Sequence, residues 1–327
     1  MRIESRVAAW PGKRRDIARL SRFGKFIRNV IKYRALLVMM IPALVVVIIN
    51  CYMPMIGVLI AFKNVNYAKG IFGSKWVGLE NFRFLFTTDT AWRITINTVS
   101  YSLLFIILGL FIVVSTSIAL SEVRNKRASK VYQTAMLLPN FLSIVVVSYI
   151  VYALLNPDYG FINKNVLEPL GLNPVNWYNE SAYWPYILTS VHFWMSTGMS
   201  CVIYLAAIAG IDQEMYEAAI VDGATKWQQI RKITLPSLKP IMIILLILSV
   251  GNVFRSNFGL FYQVPLNAPA LYPATDTIDT YVYRAMISLG DIGMSSAAGL
   301  YQSVVGAVLV ILSNAVVRRI DKEQSLF

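Results

Sequence analysis

The sequence predicts an all-α integral membrane protein with six transmembrane helices, and three observations predict it. Apolar residues make up 57% of the 327 positions and charged residues only 14%, too apolar a balance for a water-soluble domain of this length. The apolar residues gather into runs long enough to cross a hydrocarbon core, for which about 20 helical residues are needed. The basic residues, which bring the net charge to +13, fall into short blocks between those runs. That is the pattern of cytoplasmic loops, not of a nucleic-acid-binding surface.

The chain opens with a segment, 1–34, that holds eleven basic side chains. It is too long and too interrupted for the n-region of a signal peptide, and is expected to be a retained cytoplasmic tail lying against anionic headgroups. The spans follow at about 36–62, 97–120, 131–155, 184–209, 241–263 and 299–317. They are helices because backbone polar groups in lipid must be satisfied within the element, and the runs show no barrel-strand alternation. The expected organisation is a tail (1–34), a six-span domain (35–318) containing a loop at 211–240, and a C-terminal tail (319–327).

Orientation follows from the cationic side chains. The connection 121–130 holds Arg124, Lys126, Arg127 and Lys130, and the connection 210–240 holds Lys226, Arg231, Lys232 and Lys239. By contrast, 156–183 has only Lys164 and 264–298 only Arg284 as basic residues. With the basic start and the Arg318, Arg319, Lys322 end, this places both termini and the second and fourth connections in the cytoplasm. The first outer connection, with Lys63, Lys69, Lys75, Arg83 and Arg93, is an exception. It is long, and long loops weigh little in this rule.

The outer connection 156–183 is rich in Asn, Pro, Tyr and Trp. It reads either as a docking surface or as an aromatic belt in which Trp177, Tyr178, Tyr183, Trp184 and Tyr186 sit at headgroup depth. Cys51 and Cys201 both lie inside apolar runs, and His192 is the one histidine, so neither a disulfide framework nor a metal site is expected.

Between the fourth and fifth spans the sequence reads IDQEMYEAAIVDGATKWQQIRKITLPSLKP. For a hydrophilic turn it is long, and it keeps apolar residues at helical spacing. Met215, Ala218, Ala219, Asp222 and Ala224 suit a short helix that Gly223 bends, and Trp227, Ile230, Ile233 and Thr234 give a second helical face running to Leu235 and Pro236. The expected element is a helix–glycine–helix elbow. Small residues at Ala218, Ala219 and Gly223 let a partner's groove approach the backbone, and Glu217 and Asp222 offer charge.

The spacing of Glu217, Ala218, Ala219, Gly223, Ile233, Leu235 and Pro236, with Asp222-Gly223-Ala224 at the turn and Trp227 following, resembles the EAA loop of binding-protein-dependent ABC importer permeases. In that family the loop is the coupling helix that docks on a cytoplasmic nucleotide-binding subunit. Weaker likenesses to carbohydrate-type permeases run through Tyr52 to Gly57, Trp76 to Phe82, Asn97-Thr98 and Leu138-Pro139. Within that group the chain is similar to permeases importing complex oligosaccharides, the permease subunits of bacterial alginate importers among them. The resemblance implies a type I ABC importer permease fold in the bacterial cytoplasmic membrane. It also implies a second related permease subunit, two ATPase subunits carrying ATP and magnesium, and an extracytoplasmic solute-binding protein. No cofactor on this chain is implied.

Polar side chains in a span are costly when they face lipid, so they usually face a pathway or a partner helix. In the fifth span Asn252, Arg255, Ser256, Gly259 and Tyr262 recur at spacings that share one helical stripe, with Asn257 to one side. Asn and Tyr suit sugar hydroxyls, and an arginine holds a carboxylate in two parallel hydrogen bonds. The resemblance implies sugar-binding asparagines near Asn252 and Asn257. Arg255 is not a general feature of that family and favours an acidic oligosaccharide over a neutral one, with pairing to an acid on a partner subunit as the other use for it. His192, with Trp194 and Tyr204 in the fourth span, is a weaker candidate than an interhelical hydrogen bond.

No phosphate-cradling glycine loop and no pair of carboxylates in the spans support catalysis. A transporter driven by an ion gradient is the alternative, but it would normally use membrane-embedded acids, of which the spans have essentially none. A non-transporting scaffold and a permease for another solute class are further alternatives.

Overall fold

The computed structural model describes residues 29–320. Most of the basic segment 1–34, and residues 321–327 of the expected C-terminal tail, therefore lie outside the described residues. The chain divides at Val58 into two compact units, Met1–Val58 and Leu59–Phe327.

The first unit carries helix α1, Arg34–Val47, which contains Pro42 and passes into a wider π turn at Ile48–Tyr52. The missing N–H at Pro42 is tolerated in a long apolar helix, and the stretch Arg34–Phe62 is long and apolar enough to cross a membrane.

The second unit begins with a two-stranded antiparallel ribbon, β1 (Lys63–Asn64) pairing with β2 (Lys75–Trp76). The Trp76 ring stacks on Phe62. Asn81 fastens the loop by donating from Nδ2 to the Ala61 and Lys63 carbonyls, each at 3.0 Å. The basic residues of this connection are used locally: Lys63 donates to the Ile71 and Phe72 carbonyls, and Arg83 pairs with Glu80.

The remaining helices build the bundle. Helix α2 (Asp89–Ser121) starts on a Thr88 cap and packs along α5 (Trp184–Ala209). Helix α3 (Lys126–Leu137) starts on an Asn125 cap and leads through Leu138–Phe141 to α4 (Ile144–Leu155). The span expected at 131–155 is broken: the helices on either side of this break meet at 99°. Pro139 removes a backbone donor there and Ser143 starts a new helix by accepting from the Val146 N–H, so the apolar run continues while the helix does not.

Helix α6 (Gln213–Val221) precedes α7 (Lys226–Gly251), which packs along α10 (Ile292–Ile320). Two short helices, α8 (Phe258–Gln263) and α9 (Ile278–Arg284), lie between α7 and α10. Among the described residues, five helices are long and apolar enough to span, or six if the bent pair counts as one.

Close approach is arranged by glycine. A Cβ at Gly306 would lie 2.6 Å from the Gly251 carbonyl oxygen, and one at Gly198 would collide with the Met136 carbonyl. Without a hydrophobic force between helices in lipid, this backbone contact supplies the packing. One core cluster joins α2, α4, α5 and α8 around Tyr101, Val151, Leu188 and Phe261. A second joins α2, α5 and α7 around Val114, Tyr204 and Leu238.

The connection before α9 is pinned to α2 by polar side chains. Asn97 donates to the Asp276 carbonyl at 2.9 Å, Thr98 Oγ1 accepts from the Ile278 N–H at 3.0 Å, and Tyr101 donates to the Ala274 carbonyl.

Candidate functional site

The segment between α5 and α7 is a folded elbow. Asp212 caps α6 by accepting from the Glu214 N–H at 3.0 Å. The helix ends in paired bonds, Ala224 N–H to Ala219 O (2.8 Å) and Gly223 N–H to Ile220 O (3.0 Å), with Gly223 at φ +77°. This double-bonded end demands a left-handed residue, which glycine occupies without the Cβ penalty. Thr225 then forms a reciprocal cap with Gln228 and starts α7.

A π turn at Ile230–Thr234, closed by the Leu235 N–H on the Ile230 carbonyl, falls just before Pro236. The wider turn relieves the crowding that a proline ring imposes on the preceding carbonyls. The two prolines Pro236 and Pro240 therefore sit inside a continuous helix and do not end it.

The elbow is braced from within and from α2. Tyr216 and Thr234 share a hydroxyl bond of 2.9 Å, Gln229 donates to the Ala224 carbonyl, and Lys226 Nζ lies 3.0 Å from Glu122. Glu217, Ala218, Asp222, Gly223 and Pro236 are exposed, and Ala219, Ala224, Ile233 and Leu235 are half-buried. Val221 is 88% exposed and Trp227 68%, so the elbow presents a small apolar surface flanked by acids.

At the other end of α7 lies a cavity of about 460 Å³ between α2, α5 and α7. Ser102, Ser196, Ser200 and Ser249 line it, as do Phe105 and His192. The imidazole of His192 is stacked on the Phe105 ring with centroids 3.9 Å apart. Tyr204 also lines the cavity, whereas Trp194 does not. Serines and a phenylalanine inside spans carry no sequence signal that separates a lining residue from a packed one.

The expected polar stripe is corrected by the course of the chain. The run at 241–263 is not one helix, because α7 stops at Gly251 and α8 starts on a new cap, Asn257, whose Oδ1 accepts from the Leu260 N–H. Asn252, Arg255 and Asn257 line the cavity. Ser256, Gly259 and Tyr262 turn elsewhere. Ser256 gives its N–H and hydroxyl to Asp279 Oδ2 at 2.7 and 2.8 Å, Gly259 sits against Ile144, and Tyr262 packs with Phe258 and Tyr283.

The break is held further by Gln302, which donates to the Phe254 carbonyl at 2.6 Å. Arg255 donates to the Ser303 hydroxyl at 3.0 Å, and among the described residues no acid lies within ion-pairing distance of it.

The loop 156–183 folds around buried Asn163, whose Oδ1 accepts from the Trp177 indole at 2.9 Å. Trp184 is fully buried and donates to the Trp177 carbonyl. Both tryptophans are engaged within the fold, while Tyr186 remains exposed. Burial pushes the Tyr178 phenol above its ordinary pKa, with the neighbouring Tyr152 adding to the shift.

Residues 112–322 match the family model of the binding-protein-dependent transport system inner membrane component. The chain is 34% identical, over 90% of its length and 91% of the relative's, to the polygalacturonan/rhamnogalacturonan transport system permease protein YteP of Bacillus subtilis (strain 168). It is 29% identical, over 80% of its length and 86% of the relative's, to the trehalose/maltose transport system permease protein MalF of Thermococcus litoralis.

Among solved structures, a chain of a bacterial ABC transporter involved in the import of the acidic polysaccharide alginate superposes with a TM-score of 0.83 at 32% identity. It covers 91% of this chain and 99% of that one. A second structure, of a bacterial alginate ABC transporter in complex with alginate pentasaccharide-bound periplasmic protein, gives 0.82 at 32% identity, covering 90% and 98%. The chain belongs to the inner-membrane permease family of binding-protein-dependent transport systems, as a multi-pass, non-catalytic component with the type I ABC importer permease fold.

Proposed function

We propose that this permease forms the translocation pathway for an acidic oligosaccharide of the alginate type, handed over by an extracytoplasmic solute-binding protein. The elbow at 211–240 docks on cytoplasmic ATPase subunits, which bind the ATP and magnesium, and a second related permease completes the pathway. Both termini then lie in the cytoplasm.

Arg255 carries the substrate reading. A guanidinium stands at the rim of the cavity with no acid beside it among the described residues, and a carboxylate is its natural complement. Asn252 and Asn257 on the same rim suit sugar hydroxyls. The likeness to permeases named for polygalacturonan/rhamnogalacturonan and alginate transport supports the same substrate class.

The coupling reading rests on the elbow's geometry: an exposed turn with small residues, exposed Val221 and Trp227, and a rigid helix leading from it to the cavity.

The test of the substrate reading is uptake of neutral and acidic oligosaccharides of equal length by the reconstituted complex. A hydrogen bond to a charged group contributes about 1.5–3 kcal/mol. Arg255→Ala is therefore expected to lower uptake of the acidic sugar by about 10- to 100-fold and to leave the neutral one near wild type. Equal loss for both sugars would overturn the carboxylate pairing.

A further inference from the structure

A second cavity, of about 290 Å³, is lined by Thr90, Arg93, Tyr272, Asp276, Tyr281 and Arg284. It falls at the lower end of the size range of small binding pockets. Asp276 is 2% exposed, and its Oδ1 accepts from Arg284 Nη2 at 2.6 Å and from the Thr280 hydroxyl at 2.9 Å. Arg284 lies over the Tyr272 ring at 4.0 Å from its centroid, which fixes the plane of its guanidinium.

Arg93 approaches the other oxygen of Asp276 only to 3.9 Å, and its side chain is 44% exposed. That distance is beyond a hydrogen bond. Two guanidinium groups thus share one carboxylate, and the cleft keeps a positive charge on the half-exposed Arg93 side chain. A planar guanidinium fork matches a second carboxylate.

Placement decides whose carboxylate. Helix α2 has 33 residues and so is about 50 Å long at 1.5 Å per residue. Its last turn adjoins the Glu122–Lys226 pair at the elbow, so Arg93, in its second turn, lies near the opposite end of the bundle. The first residue of α2 on the central cavity is Ser102. At about 100° per residue, the step from Arg93 to Ser102 amounts to a half turn around the helix. A solute in the central cavity does not pass Arg93, whereas a protein resting on this end of the bundle meets it.

We propose that the Arg93–Arg284 cleft receives an aspartate or glutamate side chain of the solute-binding protein on which these transport systems depend. The sidedness of the cleft rests on the coupling reading of the elbow.

The test is equilibrium binding of the purified solute-binding protein to the complete transport complex in nanodiscs. Arg93→Ala is expected to raise the Kd by about tenfold, Arg93→Glu to raise it further, and Arg93→Lys, which keeps the charge but loses the fork, to fall between wild type and Arg93→Ala. Arg83→Ala, which removes an exposed partner of Glu80, is expected to bind as wild type does. The Arg93→Ala shift is expected to be the same for loaded and solute-free binding protein.

An unchanged Kd in Arg93→Ala overturns the proposal. A shift seen only with loaded protein assigns the cleft to the solute and overturns it too. So does failure of the Arg93 variants to assemble with the second permease, which would assign the cleft to that subunit. Arg93→Cys in intact cells is expected to react with a membrane-impermeant maleimide. Labelling from the cytoplasmic side alone overturns the coupling reading together with the docking site, whereas outside labelling with an unchanged Kd overturns the docking site alone.

Discussion

The turn at Gly223 and the break after Gly251 both interrupt helices, yet they are secured in opposite ways. The turn is closed by its neighbours: Asp212, Ala219, Ile220, Thr225, Gln228 and Thr234 supply its caps and braces, all within the same short stretch of chain. The break is closed from a distance, by Asp279 from α9 and by Gln302 and Ser303 from α10. A locally closed element keeps its shape while it moves as a body. A break closed from elsewhere keeps its shape only while α9 and α10 stay where they are, so the cavity rim is conditional on the packing of the last span in a way the elbow is not.

Substitutions in the two regions break or sharpen this contrast. The largest effect is expected for Asp279→Ala, which removes the acceptor of two bonds to Ser256, each charge-assisted and contributing about 1.5–3 kcal/mol. Thermal unfolding of the purified complex should show a loss of about 3 kcal/mol or more, and combining it with Ser256→Ala should add little, because the two share one interaction. Full additivity would show that the break is not held by this pair.

Gly223→Trp comes next. A side chain at a left-handed position costs about 1–2 kcal/mol, and a bulky one also fills the surface expected to meet the ATPase. Stability should fall modestly while ATP-driven uptake is lost. Intact transport in this variant would count against the elbow as the coupling element.

Thr225→Ala removes a cap and should cost about 1 kcal/mol, without changing the sugar preference that Arg255 is expected to set. A changed preference would mean that the elbow and the rim are not separable. The smallest effect belongs to Lys226→Ala: its pair with Glu122 is largely exposed, and such pairs contribute about 0–1 kcal/mol.

The same contrast explains what could be read in the residues. The elbow was legible because its signals are local: Gly223 between two amphipathic stretches, and small residues beside Glu217. The fourth span, 184–209, was legible from hydropathy alone, and the observed helix α5 has the same limits. The breaks at 138–143 and 252–257 were not, because hydropathy measures what a segment is soluble in and not whether its hydrogen-bond ladder is continuous.

Ser143 and Asn257 are ordinary helix caps whose signal is masked by the apolar residues around them. Assigning one straight stripe to Asn252, Arg255, Ser256, Gly259 and Tyr262 assumed a single axis. The acceptor that turns Ser256 away, Asp279, lies in a different connection and leaves no trace in the local pattern. The Arg93–Arg284 cleft was hidden for the same reason, since its residues come from two distant segments that Asn97 and Thr98 bring together.

The contact between Gly251 and Gly306 has a mechanical consequence. At this crossing the Gly251 carbonyl approaches Gly306, and the Val310 side chain of α10 fills the space beside Gly251 that a Cβ would need. Val310 is thus the side chain that any tilt of α7 about this crossing has to accommodate. From Trp227 to Gly251 the arm is about 36 Å long at 1.5 Å per residue, whereas Asn252 and Arg255 stand just beyond the pivot. A tilt about this crossing would gear a displacement of several ångströms at the exposed end down to a fraction of that at the rim, on the scale at which a single hydrogen bond is made or lost.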